Sequence, residues 1–206
     1  MEYDGAPKTN IESNICYINF PNKSPNRSQD IKTDSGLSGQ YNFLESKIVE
    51  LKPSIPVHIT KPNSMKQAAA WFLNNFSGRV LYSVKSNPDK AALTHLYDAG
   101  VRHFDVASLN EIKLIAELFP EAKMYFMHPI KARESIFEAY FNFGIRDFSL
   151  DSFDELEKIL QITNNAKDLS LHIRLSIPNS HAAIDLSGKF GILPSDSIGL
   201  IIKTRT

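Results

Sequence analysis

Apolar and polar residues alternate along most of this chain in two periods, a short one typical of strands and a longer one typical of helices. Runs rich in β-branched and aromatic residues recur from residue 79 to residue 177, and stretches with helical spacing separate them. Strands that alternate with helices of this length indicate βαβ units and a parallel sheet. The predicted strands are 79–85, 102–108, 122–129, 145–152 and 169–177, preceded by a short strand at 56–60.

The stretches with the helical period also carry start and stop signals. Ser64 is the predicted N-cap of the first helix, and Pro88 is predicted at the first helical position of the second. Gly100 and Gly144 stand where a residue just past a helix end adopts the left-handed conformation. The predicted helices are 64–76, 88–100, 109–119, 131–144, 153–163 and 194–204.

The two faces of the predicted strands distinguish an open sheet from a barrel. In strand 169–177, Leu171, Ile173 and Leu175 share one face, and His172 and Arg174 lie on the other. Strands of an open parallel sheet are usually apolar on both faces, whereas a polar inner face suits a barrel that lines a site. The expected fold class is therefore α/β, a partial (β/α)8 TIM-like barrel with about five of eight strands. As a residue inside its strand, Arg174 is expected to be buried and to need a partner.

Each predicted barrel strand ends on a distinctive polar residue. These residues are Lys85, Asp105, His128, Asp151 and Arg174. One βα unit separates each from the next, which places them on the rim that carries the chemistry of barrel enzymes. Singly they have ordinary explanations, because a terminal lysine extends into solvent and an aspartate often caps the following helix. A desolvated lysine amine on such a rim can also form a Schiff base with a carbonyl compound.

Composition narrows the class of protein. The 206 residues are 42% hydrophobic and 22% charged, with 23 basic and 23 acidic residues, so no charge excess indicates nucleic acid or an anionic membrane as a partner. No apolar run approaches the length of a membrane span, and the polar start does not resemble a secretory signal. The single cysteine, Cys16, excludes an internal disulfide framework and fits a reducing compartment, so a cytoplasmic location is expected.

Two common kinds of site leave no trace in the sequence. It contains no Gly-rich nucleotide-binding loop and no closely spaced Cys/His set, so no metal site is expected. Residues 1–45 are rich in Asn, Ser and Pro without periodicity, which predicts a flexible polar tail. Residues 46–206 are expected to form the barrel portion.

An ordered set of short motifs resembles a known family. "YSVKSN", "FDVAS", "HPIK", "FSLDS", "LHIRLS" and "KFG" follow one another between residues 82 and 191. Together they are similar to motifs of the fold-type III pyridoxal-phosphate decarboxylases, which act on ornithine, lysine, arginine or diaminopimelate. The set looks most like the ornithine/lysine decarboxylases. The resemblance implies an alanine-racemase-like barrel and pyridoxal 5'-phosphate as cofactor.

The resemblance also implies residue roles. Lys85 matches the lysine that carries the cofactor covalently and serves catalysis, and Asp105 and Arg174 match residues that contact the cofactor. Lys189 matches a lysine toward the dimer interface, while the role of the "HPIK" motif stays open. The implied activity is decarboxylation of ornithine, or as second choice lysine, to a diamine in polyamine biosynthesis.

The sequence departs from the family beyond its fifth predicted strand. The family's last three barrel strands and its C-terminal β-domain have no counterpart here, and "PVHIT" at 56–60 resembles a strand of that second domain. Activity is therefore expected to require a complementing C-terminal half, with an amino-acid substrate and a homodimer as further expected partners. Two alternatives stay open: a non-catalytic homologue that binds the cofactor or regulates a partner protein, and a remnant without a stable fold.

Overall fold

The computed structural model describes residues 9–12, 15–19, 45–46, 48–52, 54, 57–177 and 188–205. The chain divides into two compact units, Met1–Ala68 and Ala69–Thr206. This division falls later in the chain than the predicted boundary after residue 45. Within the described residues, no helix is long and apolar enough to cross a bilayer.

The first unit contains a three-stranded sheet. Strand β1, Thr9–Glu12, pairs antiparallel with β2, Ile15–Asn19, which pairs parallel with β3, Val57–Thr60. Strand β3 confirms the predicted strand at 56–60. The other two strands lie in the stretch predicted as a tail, where polar composition gave no sign of them. Main-chain pairing satisfies backbone hydrogen bonds whatever the side chains are, so composition is a weak guide here.

The second unit is built on a five-stranded parallel sheet in sequential order. The five strands confirm those predicted between residues 79 and 177, although each is shorter. The first ends early because its last predicted residues form a 3₁₀ turn, Val84–Ser86. The strands are β4 Tyr82–Ser83, β5 His103–Val106, β6 Lys123–Phe126, β7 Asp147–Leu150 and β8 Ser170–Ile173.

Helices connect these strands largely as predicted. The bounds are α1 Pro62–Asn75, α2 Lys90–Asp98, α3 Leu109–Leu118, α4 Arg133–Phe137, α5 Phe153–Ile162 and α6 Pro194–Lys203. A π-helix, Glu138–Asn142, continues α4. Gly100 and Gly144 have φ of +105° and +66°, which confirms them as residues just past helix ends.

Two predicted helix starts are wrong. Helix α1 begins at Pro62, so Ser64 lies inside it and is not an N-cap. In α2 the N-cap is Asp89, whose carboxylate accepts a hydrogen bond from the Ala92 N–H at 3.0 Å. Pro88 therefore precedes the cap. A side-chain acceptor satisfies one of the free N–H groups of the first turn, which proline cannot do.

The apolar face of the sheet forms the core. Phe104, Phe126 and Phe148 are fully buried on neighbouring strands, and Phe126 is the register partner of Phe148. Burying one such side chain contributes about 1.5–3 kcal/mol to folding. The predicted two-faced pattern holds in β5, whereas β7 is buried on both faces, including Asp147 and Ser149. The polar face of a central strand is covered by the side chains of its neighbours.

Candidate functional site

Lys85 lies directly after β4, at the C-terminal edge of the sheet. It occupies the 3₁₀ turn, and its side chain is exposed. The preceding Val84 is fully buried and anchors the turn in the core. The backbone of Lys85 thus lies at the C-terminal edge of the sheet, where the sequence placed it.

Asp105 stands on the neighbouring strand. Its register partner in β4 is Ser83, so Lys85 lies two residues farther along the strand direction than Asp105. The Asp105 side chain is half-buried. The buried Ser83 hydroxyl has no hydrogen-bond partner within the described part of the chain. A buried polar atom without a partner commonly marks a place where a bound molecule or water completes the hydrogen bonding.

Arg174 follows the last residue of β8, and the expectation that it is buried is wrong. Its side chain is exposed, and only its backbone continues the sheet, donating a hydrogen bond to the Leu150 carbonyl at 2.9 Å. Strand β8 is an edge strand of this sheet, so its polar face has a neighbour on one side only. The guanidinium carbon lies 5.3 Å from the centre of the Phe190 ring.

Asp151 and His128 lie on the same edge but each has a hydrogen-bond partner within the protein. The Asp151 carboxylate accepts a hydrogen bond from the Gly191 N–H at 2.8 Å. The imidazole Nδ1 of His128 lies 2.6 Å from the Ile130 carbonyl oxygen within a tight turn. Neither aspartate of the rim is a helix cap, contrary to the ordinary explanation, because serines take that position in both following helices.

Lys85, His128, Asp151 and Arg174 therefore lie at the C-terminal edge of the parallel sheet. Asp105 lies one level lower, in register with Tyr125 and Asp147, and the five residues do not form one contact cluster. Lys85 and Arg174 belong to the two edge strands of the order β4-β5-β6-β7-β8. Asp105, nearest to Lys85 in register, belongs to the strand beside it. The sequence thus predicted the shared edge for four of these residues, and the structure assigns a different environment to each residue.

Lys131 is the residue of the "HPIK" motif whose role the sequence left open. Its ammonium is buried and lies 2.9 Å from a carboxylate oxygen of Glu155. It also donates hydrogen bonds to the carbonyls of His128 at 3.0 Å and Ser149 at 2.5 Å. Burial lowers the pKa of Lys131, and the Glu155 carboxylate opposes this without cancelling it. With all its contacts inside the protein, Lys131 ties the ends of β6 and β7 together.

A second cluster of polar side chains lies nearer the N-terminal ends of the strands, and the sequence did not predict it. The Asp147 carboxylate contacts the Lys123 ammonium at 3.3 Å and the His172 Nε2 at 3.1 Å. Burial by itself raises the pKa of Asp147, but hydrogen bonds from His172 and Lys123 outweigh it and the net shift is downward. The only signal in the sequence was the polar face of these strands.

On the same face of the sheet, Tyr125 of β6 forms further polar contacts through its hydroxyl group. The Tyr125 hydroxyl accepts a hydrogen bond from Arg79 at 2.9 Å and lies 3.1 Å from the His103 Nδ1. Burial lowers the pKa of His103, and the positive charges of Arg79 and Lys123 add to the effect. A layer of polar contacts thus lies below the rim that carries Lys85 and Arg174.

A family comparison decides what this edge belongs to. The family described as "Pyridoxal-dependent decarboxylase, pyridoxal binding domain" matches residues 62–204, which include the entire five-stranded sheet. The chain belongs to this pyridoxal-dependent decarboxylase family. The fold is accordingly part of an alanine-racemase-like barrel, and pyridoxal 5'-phosphate is the family's cofactor.

Individual relatives agree with the family. The lysine/ornithine decarboxylase of Selenomonas ruminantium is 30% identical over 123 residues, covering 59% of this chain and 30% of the relative. The ornithine decarboxylase of Panagrellus redivivus is 38% identical over 113 residues, covering 55% of this chain and 25% of the relative. The matched region thus spans less than a third of the length of either relative.

Solved structures show the same architecture. The arginine decarboxylase of Paramecium bursaria Chlorella virus superimposes with a TM-score of 0.67 at 25% identity. The superposition covers 78% of this chain and 43% of the viral enzyme. The five-stranded sheet of this chain and its connecting helices therefore have the same arrangement as in a solved decarboxylase structure.

The residues at the rim fit the family's cofactor chemically. Lys85 offers an exposed primary amine, the group that bonds to an aldehyde. Arg174 offers an exposed guanidinium, which suits an anionic oxygen, and the unpartnered Ser83 hydroxyl lies next to the Lys85 turn. Among the described residues, no group of three His, Cys, Asp or Glu side chains could hold a metal ion.

Proposed function

We propose that this chain supplies the cofactor-binding edge of a decarboxylase that converts a basic amino acid, ornithine or as second choice lysine, to a diamine. The observation that carries the proposal is the exposed Lys85 amine at the C-terminal end of β4, one strand from Asp105. The relatives' names support the substrate class, since they include lysine/ornithine and ornithine decarboxylases. A cytoplasmic location and a role in polyamine synthesis belong to the same proposal.

Three residues would hold pyridoxal phosphate. Lys85 would hold it covalently through Nζ, Asp105 would interact electrostatically from the adjacent strand, and Arg174 would bind an anionic oxygen. When bound, the cofactor supplies an electron sink for the electrons that a departing carboxylate leaves behind. The protein's own task is to orient the substrate carboxylate and keep water away from it.

A trapping experiment tests the proposal. Purified chain is mixed with pyridoxal phosphate, reduced with borohydride and mapped by peptide mass spectrometry. The label is expected on Lys85 and lost in Lys85→Ala, whereas Lys113→Ala, which removes an exposed lysine of α3, keeps it. Label spread over surface lysines, or unchanged in Lys85→Ala, would refute cofactor binding at this edge.

Activity is measured separately from binding. Release of carbon dioxide from ornithine and lysine is assayed for the chain alone, and again with the C-terminal portion of a related decarboxylase added. Product from ornithine that depends on Lys85 supports the proposed reaction, with a homodimer or a complementing half as the active assembly. The alternative is a cofactor-binding or regulatory protein without catalysis. Labelling of Lys85 without any product would support that alternative.

A further inference from the structure

The segment Lys189–Ile192, called here the KFG segment, is attached to the end of β8. The Ser176 N–H donates to the Ile192 carbonyl and the Ile192 N–H donates to the Arg174 carbonyl, each at 2.9 Å. Gly191 has φ of +105°, and a Cβ there would lie 2.5 Å from the Ser176 nitrogen. Only glycine tolerates both the conformation and this close backbone approach, so the path of the segment is fixed.

The end of the neighbouring strand β7 also holds the KFG segment. The Asp151 carboxylate, directly after β7, accepts the Gly191 N–H at 2.8 Å. A hydrogen bond to a carboxylate is stronger than one between neutral groups. The KFG segment is therefore tied to the ends of both β7 and β8.

This attachment places the Phe190 ring between two rim residues. The ring centre lies 5.3 Å from the Arg174 guanidinium carbon and 5.4 Å, edge to face, from the His128 ring. A guanidinium within about 6 Å of an aromatic centre is attracted to the ring. Within the described residues, no carboxylate forms an ion pair with Arg174, so Phe190 is the contact that restricts its orientation.

We propose that Phe190, held in place by the Asp151–Gly191 hydrogen bond, is a positioning residue for Arg174 and orients its guanidinium toward an anionic oxygen of pyridoxal phosphate. The inference rests on the proposed function for its ligand, but its geometry is independent of it. An exposed arginine samples many rotamers, and restricting them before binding lowers the entropy lost on binding.

The first test measures cofactor affinity by absorbance titration. Phe190→Leu is expected to weaken pyridoxal phosphate binding about threefold, and Phe190→Tyr to keep it, since the tyrosine ring also attracts a cation. Asp151→Ala is expected to weaken binding by up to about threefold, because it acts through the same ring. Asp151→Asn removes the charge but keeps an accepting oxygen, so its loss should be smaller than that of Asp151→Ala. Asp154→Ala, at an exposed site of α5, should bind normally.

The effect must pass through Arg174. In an Arg174→Ala background, Phe190→Leu is expected to have no further effect on affinity, because coupled residues do not act additively. An equal loss in both backgrounds would overturn the inference, as would unchanged affinity in Phe190→Leu with Arg174 intact.

A second test needs no cofactor. The side-chain Nε–H of Arg174, assigned by its loss in Arg174→Lys, is followed by nitrogen relaxation, because removing a nearby ring shifts the resonance whatever the orientation of the arginine. Its order parameter is expected to fall in Phe190→Leu and to be kept in Phe190→Tyr. An order parameter that is unchanged in Phe190→Leu overturns the positioning role. If wild-type protein fails to bind the cofactor while the order parameter does fall in Phe190→Leu, the proposed function fails and the positioning of Arg174 stands.

Discussion

The turns after β5 and β7 carry the same local pattern, Ser-x-x-Glu, at 108–111 and 152–155. In both, the serine hydroxyl caps the following helix by accepting the glutamate N–H, at 3.3 Å in the first and 3.2 Å in the second. The glutamate side chains then differ. Glu111 accepts the N–H of Ala107, the residue before the N-cap, at 2.8 Å and so stays within its own turn.

Glu155 instead contacts one lysine from another segment and one on its own helix. It lies 2.9 Å from the buried Lys131 ammonium and 2.5 Å from that of Lys158. Lys131 lies on the loop after β6, whereas no lysine or arginine forms an ion pair with Glu111 within the described residues. One local pattern therefore serves a local cap in one turn and a buried ion pair in the other, and what differs is the residue that the neighbouring strand delivers.

The largest effect is expected for Lys131→Met. Glu155 loses its buried partner, which should lower the free energy of unfolding by about 3 kcal/mol. This is near the lower end for broken buried pairs, because Lys158 still contacts Glu155. Urea unfolding followed by circular dichroism measures the change in the full chain. Lys113→Met, at an exposed site of α3, should change stability by less than about 0.5 kcal/mol.

The same experiment has a compensating variant. Lys131→Met combined with Glu155→Leu removes both charges and should recover much of the lost stability. A single variant that loses less than about 1 kcal/mol would mean that the pair is not an important link between β6 and β7.

The glutamates themselves give the next largest contrast. Glu155→Gln should cost about 2 kcal/mol, because the buried Lys131 ammonium loses its opposing charge. Glu111→Gln should stay within about 0.5 kcal/mol, since a glutamine oxygen can also accept the Ala107 N–H. Thermal or urea unfolding of the two variants side by side tests this. Similar losses at both positions would contradict the distinction between the turns.

The serines should behave alike where the glutamates differ. Ser108→Ala and Ser152→Ala are each expected to lose about 1 kcal/mol, since each removes one acceptor for a free N–H at a helix start. Their unfolding midpoints should therefore fall by similar amounts. A loss confined to Ser152→Ala would show that its cap depends on the ion pair rather than on local geometry.

The smallest expected effect is on the pH dependence of folding stability, which should differ in slope between wild type and Lys131→Met. Burial holds the pKa of Lys131 in the folded chain below the 10.5 of a free side chain. Between that lowered pKa and 10.5 the unfolded chain binds more protons, so folding stability gains with rising pH. Unfolding measured across this alkaline range should show wild type gaining relative to Lys131→Met. Parallel curves would contradict a lowered pKa.

The spacing of apolar and polar residues was sufficient to predict the five-stranded sheet and the helices that connect its strands. Strands β4 to β8 and the helix ends at Gly100 and Gly144 follow from local patterns, because strand and helix periods depend on neighbours along the chain. Lys85 was found in the same way, as the last residue of a predicted strand. Strands β1 and β2 of the first unit were missed because main-chain pairing leaves no mark in a polar composition.

The environments of the rim residues could not be obtained this way. Arg174 was expected to be buried and is exposed, since exposure depends on which strand stands beside β8. The Asp151–Gly191 hydrogen bond joins residues 40 positions apart, and no local pattern links them. No role was predicted from the sequence for Phe190 of "KFG". Its contact residues Arg174 and His128 lie at the ends of two strands that are distant from it in the sequence.

By itself, the sequence determined the parallel βαβ architecture, the family and the rim that carries Lys85, because these depend on periods and ordered motifs within one chain. The tertiary structure decided that Lys131 is a buried link between strands and that Glu111 and Glu155 have different partners. It also decided that Phe190 faces the Arg174 guanidinium. The physical reason is common to all three: burial, ion pairing and ring contacts depend on which distant segments meet in space.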